Sequence, residues 1–148
     1  MLYGSRTFRS TLLIRDPRDS IYSLYKLSST KDWKDEGTYN LFTDIDKFYF
    51  DYWRPVYLPS RNPFEMWDSI APYMPIIRYE NLCSNVYEEL KLLFQQWNIE
   101  VSEQRLSASI DKYPAINKQV SISEKLSPKV LNNFNSLFET DLKRWGYS

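Results

Sequence analysis

The residues of this 148-residue chain best suited to chemistry sit together near its start: Arg15, the run Asp16-Pro17-Arg18-Asp19, and Ser23. A guanidinium presents a planar fork of donors that matches a phosphate, and a serine hydroxyl can add one more. The chemistry that follows is recognition of a phosphate-like anion. Other chemistries are excluded by composition. The chain has no His, which removes imidazole general-base catalysis and His-ligated metals within it. Its single cysteine, Cys83, rules out an internal disulfide and any multi-Cys zinc site, and reads as a small buried filler.

Particular elements must hold Arg15 and Ser23 in place. Ser10 to Arg15 is a short apolar run with β-branched residues, the mark of a buried strand, and it stops at Asp16-Pro17. Asp16 suits a helix cap, Pro17 the first helical position, and Asp19 the third, where a carboxylate favours the helix N-terminus. The helix runs to about Ser28, with Ile21, Leu24 and Tyr25 on its apolar stripe and Asp19, Ser23 and Lys26 opposite. Unpaired amides at such a helix start attract anions, and ligands of open α/β sheets lie beyond the C-terminal ends of strands. Ser23 falls roughly 10 Å along the axis from the cap, within reach of a phosphate shared with Arg15. Pairing of Arg15 with a local Asp is the commoner fate of such a residue, and the residues alone leave both open.

The rest of the chain alternates in the same way. Leu41 to about Tyr57 is rich in rings and reads as a helix with Pro55 near its end, followed by a shorter one around Phe64 to Ile70. Met74 to Tyr79 reads as a second buried strand opened by Pro75. Asn85 and Glu88 have capping-box spacing, ahead of an amphipathic helix carrying Val86, Leu90, Leu93, Phe94 and Trp97. Ser102 caps a further helix to Tyr113, Ala115 to Lys125 reads as a loop, and Ser127-Pro128 opens a last helical region that Gly146 ends. Strands separated by helices predict one α/β domain over 1–148, a short parallel sheet flanked by helices.

Composition bounds the partners. Five Trp, 12 Tyr and 8 Phe demand a core of large flat side chains, which excludes a disordered chain. Nineteen basic residues balance 19 acidic ones, which argues against binding nucleic acid through total charge. Locally the balance breaks: Arg6 to Lys34 holds seven cations against three anions, and Asp35 to Asp68 the reverse. No signal h-region and no membrane span can be read, so the expected location is cytoplasmic. Trp53, Trp67, Trp97 and Trp145 read as core, Trp33 as a candidate substrate-side ring, and Lys118 and Lys125 as solvated side chains.

The segment Leu12-Leu13-Ile14-Arg15-Asp16-Pro17-Arg18-Asp19-Ser20-Ile21-Tyr22-Ser23 resembles the 3′-phosphate-binding segment of sulfotransferases that use 3′-phosphoadenosine 5′-phosphosulfate (PAPS). That family shows a hydrophobic strand, Arg-Asp-Pro-Arg-Asp or a close variant, and a Ser eight residues after the first Arg. Ile76-Ile77-Arg78-Tyr79-Glu80-Asn81-Leu82 is similar to the family's strand ending in Tyr-Glu-Asp-Leu, and Leu142 to Tyr147 to the closing segment of many bacterial-type members. The resemblance implies that Arg15 and Ser23 hold the cofactor's 3′-phosphate, that Arg18 adds positive potential, and that Tyr79 meets the adenine. It implies a partial three-layer P-loop-type sulfotransferase fold, with PAPS or 3′-phosphoadenosine 5′-phosphate as cofactor and no metal. Lys118 and Lys125 fall where relatives carry a basic loop that closes over the cofactor phosphate.

Two parts of the family pattern have no counterpart here. No glycine begins a loop able to cradle the 5′-phosphosulfate with a lysine, and neither a His nor a Glu before Arg15 supplies the base. The expectation is the C-terminal part of a sulfotransferase domain, truncated at its N-terminus and inactive by itself, whose acceptor cannot be read. Its bare sheet edge would be covered by a second copy or a partner chain. The competing expectations are a scaffold module that keeps the fold without the ligand, and a weaker one, an aromatic-rich single-strand RNA binder.

Overall fold

The structure is a computed structural model that describes residues 9–28, 30, 42–113 and 122–147. The chain divides into two compact units, each assembled from separated segments: Met1–Ile14 with Trp67–Lys118, and Arg15–Met66 with Gln119–Ser148. It is a mostly helical α/β protein with a short two-stranded parallel sheet.

The sheet belongs to the first unit. Leu12–Ile14 forms β1 and Ile76–Arg78 forms β2, in parallel with Leu12 opposite Ile76, Leu13 opposite Ile77 and Ile14 opposite Arg78. Both predicted strands are present, each reduced to three residues. The Leu12 N–H and the Thr11 hydroxyl both donate to the carbonyl of Pro75, at 2.8 and 2.9 Å. Pro75 has no N–H to lose from the ladder, which is why it stands just before the strand. Leu12, Ile14 and Ile77 are buried, whereas Leu13 is 51% exposed, so β1 reads as an alternating half-buried strand. Trp97 donates its indole N–H to the Ser10 carbonyl at 3.3 Å.

The helices of this unit are α4 (Tyr79–Ser84), α5 (Val86–Gln96) and α6 (Glu103–Lys112). The second strand was expected to reach Tyr79, but Tyr79 is instead the first residue of α4. The capping box expected at Asn85 does not form, because Asn85 also ends α4: its N–H donates to the Asn81 carbonyl at 2.7 Å, and its side chain makes no cap bond to α5. Ser102 does cap α6, accepting from the Arg105 N–H at 3.3 Å. Cys83 is half-buried rather than buried. Along with the strands, Trp67, Leu93 and Leu106 form this unit's buried apolar set among the described residues.

The second unit holds α1 (Pro17–Ser28), α2 (Ile45–Lys47), a π-helix over Phe48–Tyr57, α7 (Ile122–Lys125), α8 (Pro128–Leu137) and α9 (Glu139–Trp145). The remaining helix, α3 (Pro63–Ile70), crosses the boundary between the units at Met66. The helix expected up to Tyr57 is present, but its last ten residues have π geometry: the Leu58 N–H donates to the Trp53 carbonyl, five residues back. Pro55 lies inside this stretch and withholds one N–H from the ladder. Rings at i, i+4 line the element, with Phe48 and Tyr52 5.6 Å apart and Tyr49 stacked on Trp53 at 5.3 Å. From Trp53 the rings continue through Phe134 (5.7 Å) and Phe138 (4.8 Å) to Phe64 (5.1 Å). Each such pair is worth about 0.5–1.5 kcal/mol beyond its area burial. Ser127 caps α8 by accepting from the Val130 N–H at 3.2 Å, and Gly146 ends α9 in the left-handed conformation at φ 69°. Ile122 to Lys125 was expected to be loop and is instead the short helix α7.

Trp53 and Trp67 are buried as expected, and Trp97 and Trp145 are half-buried. Trp33 and Lys118 lie outside the described residues. Among the described residues no helix is long and apolar enough to cross a membrane.

The Tyr49 hydroxyl donates to the Asn133 Oδ1 at 3.1 Å, and burial pushes its pKa from 10.0 to about 12, against the opposing pull of the Arg54 cation. The folded state therefore keeps a proton that the unfolded chain loses first. The contribution is fully present below pH 10 and is lost as pH rises through about 12. In urea titrations between these pH values stability should fall with pH, and the slope should be shallower for Tyr49→Phe, which has nothing to ionise at this position.

Candidate anion-binding site

Helix α1 begins where the sequence places its start. Pro17 is the first helical residue, and the Asp16 carboxylate accepts the Arg18 backbone N–H at 2.9 Å, satisfying one of the orphan donors of the first turn. Two ionic clusters are built on this turn, both within the second unit.

The first is closed. Arg18 lays its fork on Asp16, with Nε 3.0 Å from Oδ1 and Nη2 2.7 Å from Oδ2. Its Nη1 donates to the Asn135 Oδ1 of α8 at 3.2 Å and its Nη2 to the Tyr147 carbonyl. Asp16 is buried and the Arg18 side chain is 13% exposed. Arg18 thus acts as a clamp joining α1, α8 and the residues after α9. The positive potential expected of it is spent largely on Asp16.

The second cluster is open. The Asp19 carboxylate sits between two cations: Lys125 Nζ of α7 is 2.7 Å from Oδ1, and Arg15 Nη2 is 3.4 Å from Oδ2. Exposure is graded, with the Lys125 side chain 7% exposed, Asp19 14% and Arg15 32%. Two positive groups face this carboxylate beside the start of a three-turn helix. The pairing of Arg15 with a local Asp, weighed from the sequence, is therefore present, yet the guanidinium still reaches solvent.

Ser23 is exposed on α1, one turn beyond Asp19. Arg15 and Arg18 flank the start of the helix, and Ser23 is its seventh residue. Tyr79 belongs to the first unit, half-buried at the first position of α4.

Sequence reasoning missed two participants. Lys125 was expected to be solvated and is instead buried on Asp19, a partner 106 positions away. Asn135 carried no signal at all; its part in the clamp depends on α8 facing α1. For Lys125 the available sign was its place next to Leu126, which is buried, in a short helical turn.

Chemically, the open cluster can hold a phosphate monoester. It offers a guanidinium fork, a second cation and, one turn beyond Asp19, an exposed hydroxyl. No family model, no curated protein and no solved structure matches this chain.

The clamp makes a stability prediction. Arg18→Ala leaves Asp16 buried without its guanidinium, and breaking a buried pair from one side costs about 3–5 kcal/mol. Urea denaturation of the variant should show a loss of that order. A change under 1 kcal/mol would mean that Arg18 holds nothing together.

Proposed function

We propose that this chain is a PAPS-dependent sulfotransferase-family domain that binds the 3′-phosphoadenosine part of the cofactor. Arg15 takes the 3′-phosphate with its fork, Ser23 donates a hydroxyl and Arg18 contributes background potential from its clamp. The finer fold that goes with this reading is the three-layer P-loop-type arrangement, with β1 and β2 as its parallel strands. In a parent enzyme of this kind a sulfuryl group passes to an acceptor hydroxyl or amine. These 148 residues supply neither a loop lysine nor a base for that step, so the chain by itself binds the nucleotide without turning it over.

One observation carries the reading. The guanidinium that the sequence motif nominates stands at the strand-to-helix junction, partly open to solvent, with a second cation turned toward the same carboxylate. A part-exposed guanidinium with a second cation beside it fits a doubly charged phosphate monoester better than any neutral ligand. The scaffold reading draws on the same contact seen otherwise: Asp19 already partners Arg15, as in many purely structural ion pairs.

Calorimetric titration with 3′-phosphoadenosine 5′-phosphate separates the two. Binding should be measurable, and Arg15→Ala should weaken it roughly 30- to 150-fold, the worth of a charge-assisted contact of about 2–3 kcal/mol. Ser23→Ala should weaken it roughly 2- to 12-fold, as for one neutral hydrogen bond. Affinity unchanged in Arg15→Ala removes the phosphate assignment, and no binding at millimolar nucleotide leaves the scaffold.

A further inference from the structure

Asp19 has a place in this site that phosphate binding alone does not require. Its carboxylate accepts from Lys125 at 2.7 Å and from Arg15 at 3.4 Å, one oxygen to each cation. A tetrahedral phosphate can offer two of its oxygens to the same two donors, as the planar carboxylate does here. Lys125 is almost wholly shielded from water by the protein and has its charge balanced there by Asp19. A buried ammonium without a counter-ion is strongly unfavourable, so some anion must sit in this position for α7 to pack where it does.

We infer that Asp19 is a built-in counter-ion that competes with the ligand for the Arg15–Lys125 cation pair, and so sets the threshold affinity at which the site accepts a phosphate. This rests on the phosphate-binding reading of the same site and adds its regulation. With the site empty, the carboxylate closes the pair and keeps Lys125 folded against α1. An incoming phosphate monoester carries about −1.5 to −2 charge at neutral pH against the carboxylate's single charge. It can therefore take the cations from Asp19, or bind on the exposed side of Arg15 against the repulsion of Asp19. Either route costs affinity, and either cost vanishes when the carboxylate is neutral. Arg15 is the point of entry because it is the more exposed of the two cations.

The geometry also shows why the competitor is at position 19. Asp19 lies in the first turn of α1 and Arg15 two residues before that helix, so the short turn into α1 brings the two side chains together. Lys125 arrives from a distant segment and meets the carboxylate only in the folded chain.

The test compares the intact chain with Asp19→Asn by calorimetry, using 3′-phosphoadenosine 5′-phosphate and inorganic phosphate as separate probes. Asp19→Asn should bind each probe roughly tenfold more tightly than the unaltered protein, by removal of the competing charge. Because Asp19→Asn leaves Lys125 buried with a neutral neighbour and can lose stability, the same comparison is made in a Lys125→Gln background. There Asp19→Asn should still tighten binding through Arg15. Equal or weaker binding in Asp19→Asn, with thermal melting showing a folded protein, overturns the competitor role while leaving the nucleotide reading intact. Tighter phosphate binding without any nucleotide binding supports the competitor and overturns the nucleotide reading. No binding of either probe by any of these proteins overturns both.

Discussion

The Asp16 carboxylate is the point on which the second unit depends. It caps α1 through the Arg18 N–H and carries the Arg18 guanidinium, which in turn holds Asn135 of α8 and the Tyr147 carbonyl. One buried charge thereby settles where a helix begins and which distant segments lie against its first turn. The arrangement tolerates burial because both carboxylate oxygens and most of the guanidinium fork have partners, which is the condition under which a buried ion pair avoids its desolvation penalty. Arg15 inherits its position from this. It is the residue before the cap, so its direction follows from where Asp16 is anchored.

Around this polar anchor the unit is packed with rings rather than aliphatic side chains. The π-helix brings Phe48, Tyr49 and Trp53 inward, and Phe134, Phe138 and Phe64 meet them in turn. Large flat groups fill space with few side-chain torsions, so a modest number of residues closes a core. The hydroxyl that Tyr49 carries inside is met by Asn133 of α8. Polar side chains of α8 thus serve both the ring core and the ionic clamp, Asn133 on one and Asn135 on the other.

The open cluster differs from the clamp in how its charges are shared. Asp16 is paired with Arg18, whereas Asp19 is shared between Arg15 and Lys125. The Arg15 side chain is also the more open of the two, 32% exposed against 13% for Arg18, and on this difference the proposed binding role at Arg15 rests. The sequence motif names both arginines without distinguishing them. Their partners do so.

Local rules read much of the molecule directly. Asp16 with Pro17, Ser102, Ser127 with Pro128, and Gly146 mark helix ends because a cap is a contact between a residue and its near neighbours, and the apolar runs at Leu12 and Ile76 mark strands for the same reason. The same rules failed at Asn85, where one residue had to end one helix and begin the next, and at Phe48–Tyr57, where ring spacing fits α and π windings alike. The amino-acid sequence by itself determined the strand-turn-helix at Arg15, the parallel order of the strands and the candidate ligands Arg15 and Ser23. Only the tertiary structure decided that Arg18 is a clamp, that Lys125 is buried, and that Asp19 stands between two cations. Those outcomes depend on side chains more than a hundred positions apart meeting in a shielded place, and the energy of an ion pair is set by that shielding, which no neighbouring residue encodes.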